Sequence, residues 1–194
     1  MPTDQRKADH EAGHFAMLEL LQARLRKAGH HCELRFKVSI DEAKSNSTED
    51  EFDLGLAADN VERLGVTAYK ILTPEHPAIK KQVEIFLASQ LTAGVAAESY
   101  GIFLRNAGNQ ESKVSQEAFL AAEADLVNRA KRLTKTSGDD DFTKFKEKYE
   151  ENEWDTLIPL TLRLIFIEWQ RVQRWSDALL KHRTITHKIF EILP

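Results

Sequence analysis

Apolar positions recur at helical spacing through most of the chain, and at strand spacing in one stretch only. From Thr3 or Asp4, either able to cap a helix, to about Ala28, the residues Phe15, Leu18 and Leu25 mark a buried stripe that Gly29 closes. Next, Cys32, Leu34, Phe36, Val38 and Ile40 alternate with Glu33, Arg35, Lys37 and Ser39, the period of a half-buried strand. After the polar loop DEAKSNSTED, the segments FDLGL and GVTAYKIL predict two more short strands, so a small sheet should pack near the first helix.

Beyond Pro74 and Pro77 the pattern is helical again. Ile79, Val83, Phe86, Leu87, Leu91 and Val95 share a face that continues to Tyr100 or Leu104. A further helix over 116–135 carries Phe119, Leu126, Val127, Ala130 and Leu133, and TKTSGDDD then interrupts. Between Phe142 and Leu180 a short charged helix precedes a long one bearing Trp154, Trp169 and Trp175, with Pro159 near the start of the long one, where proline is tolerated. A short helix should follow Thr184. The predicted fold is α+β, mostly helical: a histidine-bearing helix, a small sheet, then a bundle of helices, forming one domain over residues 1–194.

Composition narrows the function. Lys and Arg number 27 against 31 Asp and Glu, a net charge of −4, which argues against nucleic acid as a partner. One cysteine, Cys32, excludes an internal disulfide and any multi-cysteine metal site, and suits a reducing cytoplasm. The opening residues have no apolar core, and the runs 85–97 and 157–169 are too short for a bilayer, so no membrane insertion is expected.

The stretch KADHEAGHFAML carries chemistry. His10 and His14 lie one turn apart on the same helix face and can converge on one Zn²⁺. Glu11 is turned by about 100° from His10, beside the metal rather than on it, as a general base for metal-activated water needs. Gly13, costly in a helix, implies close approach by another backbone or by a substrate. A catalytic zinc takes a third protein ligand; Glu98, Glu123 and Asp125 are candidates that spacing alone does not separate. The alternative for His10, Glu11 and His14 is a plain amphipathic helix with solvated side chains. For Asp125 it is a surface pair with Arg129.

Other features have simpler readings. His30, His31 and Cys32 fit a helix end and strand start, and His182 and His187 a surface. The three tryptophans fit a core. The charge-dense run DDDFTKFKEKYEENEWD fits a solvated face better than a metal or docking segment.

HEAGHFAML resembles the zinc-binding helix of the FtsH-type peptidases, the proteolytic domain of membrane-anchored AAA+ metalloproteases. ELRFKVSI is similar to the strand that comes after it in that family. LASQLTAGVAAESYG and AEADLVNRAKRL resemble two later family helices, and WQRVQRWSDALLKHRTITHKIFEIL resembles the closing helix. The resemblance implies that Asp125 is the third zinc ligand. It also implies that the chain is a zinc metalloendopeptidase acting on polypeptide, with homo-oligomers or a separate ATPase as partners.

The chain departs from that family in two respects. It holds no Gly-x-x-x-x-Gly-Lys-[Ser/Thr] phosphate loop, so unfolding of substrates is not expected of these residues. Gly94, Val95, Ala96, Ala97, Glu98 and Ser99 stand where the family commonly shows Gly-Arg-x-Ala-Glu-Glu. A rival of another class is a catalytically inactive peptidase-like scaffold or accessory subunit.

Overall fold

The computed structural model describes residues 3–27, 37–40, 77–108, 114–136 and 140–186. Six helices dominate them: α1 (Thr3–Lys27), α2 (Pro77–Asn106), α3 (Gln116–Thr136), α4 (Asp140–Lys148), α5 (Glu151–Ile167) and α6 (Trp169–His182). Two three-residue strands, β1 (Lys37–Ser39) and β2 (Thr184–Thr186), pair antiparallel with Val38 opposite Ile185. No helix among the described residues is long and apolar enough to cross a membrane.

The mostly helical expectation is met, and among the described residues strand pairing is limited to β1 and β2. Arg183 (φ 62°) turns the chain out of α6 into the strand Thr184–Thr186, and residues 187–194, where the short helix expected after Thr184 would lie, are outside the described residues. The ribbon is then tied to the end of α6, where the Ile40 N–H donates to the Arg183 carbonyl (3.0 Å). Ile40 and Ile185 are both buried. The candidate strands FDLGL and GVTAYKIL lie outside the described residues, as do residues 28–36.

Helix α1 packs against α2 on one side and α6 on the other, which is why it buries more than a single stripe: Ala8, Ala12, Phe15, Ala16, Met17 and Leu18 are all buried. The α1–α2 seam is built from small residues. A Cβ on Gly13 would meet the Ala93 carbonyl oxygen and stand 2.6 Å from the Ala97 Cβ, so the backbone approach that Gly13 implies is made by α2. The seam therefore gives up helix propensity for close packing.

On the far side of α2, α5 and α3 complete an aromatic core. Tyr100 meets Trp169 edge-on (centroids 4.9 Å), and Phe119 stacks on Phe166 at 4.3 Å. All three tryptophans are buried, as their spacing suggests. The expected single long helix is two, α5 and α6, bent at Glu168. Pro159 lies inside α5 rather than near its start. Burial of Trp154, Ile158, Leu162 and Ile165 on that helix outweighs the hydrogen bond the proline removes.

The short helix α4 shapes the polar centre of the molecule. Phe145 is fully buried against Trp154 (centroids 5.1 Å), and Phe142 meets the same ring at 5.0 Å. This anchor pulls α4 onto α5 and α2. Asp141, one turn ahead of Phe145 on the same helix face, is thereby carried inward.

Candidate metal centre

Three side chains meet at the α1–α2 seam. His10 and His14 from α1 and Asp141 from α4 each offer a ligand atom, and these atoms all lie within 4.8 Å of one another. Asp141 Oδ2 stands 3.0 Å from His14 Nε2 and 3.5 Å from His10 Nε2. The two rings lie at 69°, centroids 4.9 Å apart, as i and i+4 residues on one helix face should.

The outer nitrogens of both rings are engaged elsewhere. His14 Nδ1 is 2.7 Å from the Gln90 carbonyl oxygen. A carbonyl only accepts, so Nδ1 carries the hydrogen. His10 Nδ1 faces Glu98 Oε2 at 3.5 Å, and Arg6 Nε donates to Glu98 Oε1 at 2.6 Å. In the neutral tautomers these contacts select, both Nε2 atoms present lone pairs to the Asp141 carboxylate.

Gly94 makes the space. A Cβ there would collide with Nε2 of both His10 and His14. Gln90, Gly94 and Glu98 succeed one another at four-residue spacing along α2, so one stripe supplies a carbonyl, a gap and a carboxylate to the two histidines.

Three acceptors converging in a buried place repel one another unless a cation or protons stand between them. The titration of the groups reflects this. Burial opposes the charged form of His10, yet hydrogen bonds to Asp141 and Glu98, with the charges of Glu11 and Asp141, hold its pKa well above the ordinary histidine value. Burial likewise opposes charge on His14, and Asp141 again outweighs it and raises the pKa. Burial pushes the Asp141 carboxyl up, but both imidazoles drive it far below the carboxylate range. Glu98 is also lowered: burial is outweighed by His10 and Arg6.

The donor set fits a metal ion. Two ligands of a tetrahedral zinc, each about 2.0–2.2 Å from it, stand about 3.3–3.5 Å apart, close to the separations of Asp141 Oδ2 from the two Nε2 atoms. Two imidazoles and one carboxylate leave room for a fourth ligand. Glu11, half-buried, comes directly after His10, and its charge reaches both rings.

The structure differs from the sequence reading at the third position. Asp125 is exposed on α3 and is not in this group. Its neighbour in sequence, Leu126, takes the buried place there, while Arg129 donates to the Ser99 carbonyl rather than facing the site. Glu123 pairs at the surface with Arg163 (2.6 Å). Glu98 is close by, behind His10 rather than beside Asp141.

Asp141 lies in the charge run read as a solvated face. The sequence does carry a signal for it: Asp141 and Phe145 share a helix face, and buried Trp154 lies shortly beyond. His182 is exposed, as expected; His30, His31 and His187 lie outside the described residues. No family model, curated protein or solved structure matches the chain.

Proposed function

We propose that this chain is a zinc-dependent metallopeptidase whose metal ligands are His10, His14 and Asp141. The observation that carries the reading is the convergence of two imidazole Nε2 atoms and a buried carboxylate at a spacing that suits one divalent ion. The HEAGH resemblance supports the reaction class, with the third ligand moved from Asp125 to Asp141. When bound, zinc supplies a Lewis acid that makes water nucleophilic near neutral pH and polarises a carbonyl.

The protein's own groups do the rest. Gln90 and Glu98 hold the two rings so that Nε2 faces inward. Gly94 keeps the space between them clear. Glu11 holds the proton taken from the attacking water and returns it to the leaving amine. The substrate in this reading is an already unstructured polypeptide, because these residues include no phosphate-loop motif to drive unfolding.

The test is direct. Zinc-loaded protein should cleave casein or a generic peptide and lose that activity to a chelator. Glu11→Gln should keep its zinc and lose turnover by about 10²-fold or more. Cleavage by Glu11→Gln at the parental rate would remove the general-base role. Stoichiometric zinc with no turnover in the parent would leave a metal-binding scaffold.

A further inference from the structure

The two histidines are fixed by different means. His14 donates to a backbone carbonyl, Gln90 O, which the rigid α2 helix holds in place. His10 instead faces the side chain of Glu98, which has three rotatable torsions and could turn its carboxylate away. Something must hold that carboxylate, and the structure shows what does.

Arg6 stands one turn ahead of His10 on α1, on the stripe that His10 and His14 continue. Its Nε lies 2.6 Å and its Nη2 2.5 Å from Glu98 Oε1. The other oxygen, Oε2, is the one that faces His10 Nδ1. The two oxygens of one carboxylate are thus divided between guanidinium and imidazole. The Arg6 side chain is 42% exposed, whereas that of Glu98 is 10% exposed. A pair so open at one end contributes little to folding, so its consequence lies at the other end.

We propose that Arg6 is a positioning residue for the metal centre: by holding Glu98 Oε1 it aims Oε2 at His10 Nδ1 and fixes His10 in the tautomer whose Nε2 faces Asp141. This rests on the metal-centre reading above. Arg6 touches neither metal nor substrate, and its influence passes through Glu98 alone.

The experiment uses the full chain and zinc itself. Zinc affinity is measured by competition with a chromophoric chelator for the parent, Arg6→Gln, Glu98→Gln and the double variant, with the thermal midpoint of each metal-free protein as the folding control. Glu98→Gln should weaken zinc binding by about 10–100-fold, and Arg6→Gln by up to about 10-fold, as outer partners of metal-bound histidines do. The Arg6→Gln midpoint should stay at the parental value. In the Glu98→Gln background, Arg6→Gln should cost nothing more.

A second readout separates positioning from packing. The zinc protein should show two exchange-protected ring Nδ1–H signals by NMR, and Arg6→Gln should shift or broaden that of His10 while leaving that of His14. Parental affinity and ring signals in Arg6→Gln would overturn the proposal, as would an equal loss in the Glu98→Gln background. Absence of zinc binding by the parent itself would instead overturn the metal-centre reading, and this proposal with it.

Discussion

Asp9 and His10 are neighbours on α1, both inside charged networks, and the two networks have opposite characters. Asp9 is saturated: Oδ1 accepts from Ser176 Oγ (2.7 Å) and Gln5 Nε2 (3.0 Å), and Oδ2 from Arg105 Nη1 (2.6 Å). Both oxygens of the Asp9 carboxylate are matched by donors, and three helices, α1, α2 and α6, are tied together. Around His10 and His14 the outer nitrogens are likewise matched, but the inner ones face the Asp141 carboxylate and are matched only when a proton or a cation stands between them. A buried polar cluster that satisfies itself is a structural tie. One that is satisfied only through exchangeable protons can take a cation in their place.

This contrast can be broken by substitution. Asp9→Ala should be the more damaging to folding, by about 3 kcal/mol, because it leaves Arg105 without its buried carboxylate. Denaturant unfolding of metal-free protein measures that. Zinc affinity of the folded fraction should be nearly unchanged, and a loss matching that of a ligand variant would erase the distinction between the networks.

Gly94→Ala should do the reverse. Alanine improves helix propensity by about 1 kcal/mol, but its Cβ enters the space of both Nε2 atoms. Isothermal titration should show zinc affinity reduced by about 10-fold or more, in a protein that still folds. Parental affinity would mean that the ion sits elsewhere.

The pH dependence is read as a slope, and its sign differs with and without metal. His10 and His14 have raised pKa values in the fold. Their contribution to metal-free stability is therefore full below the unfolded value, about 6.5, and is lost as pH rises through the folded values. Asp141 is depressed, so its contribution is present above its unfolded value, about 3.9, and is lost as pH falls towards the folded one.

Metal-free protein should accordingly be most stable between those two unfolded values and weaken above neutrality. Zinc must displace the imidazole protons, so the stabilisation it confers should grow with pH by about 1.4 kcal/mol per unit per proton. Thermal melts at pH 6, 7 and 8, with and without zinc, measure both slopes. Parallel slopes would remove the competition between proton and metal.

Much of the fold is legible in the sequence. The first helix, expected from Thr3 or Asp4 to Ala28, runs Thr3–Lys27, and the helix expected over 116–135 spans Gln116–Thr136. These segments carry their own periodicity and end at polar or glycine-rich breaks. His10, Glu11 and His14 are legible because one helix presents them all. Asp141 is not, because its place depends on Phe145 finding Trp154 and drawing α4 across the bundle, a contact between separate elements. Asp125 comes from the family resemblance, not from spacing, and it points out while its neighbours Leu126 and Ala130 are buried. The division of α5 from α6 is hidden for a similar reason: no glycine or proline stands at Glu168, and the helical spacing continues past the bend.

The identity of the third ligand tests the metal centre most directly. Zinc titrations should be run in parallel on the parent, Asp141→Asn and Asp125→Asn. One zinc per chain in the parent, a loss of about 100-fold or more in Asp141→Asn and no change in Asp125→Asn are the predicted results. Parental affinity in Asp141→Asn, above all alongside a loss in Asp125→Asn, would contradict the centre described here.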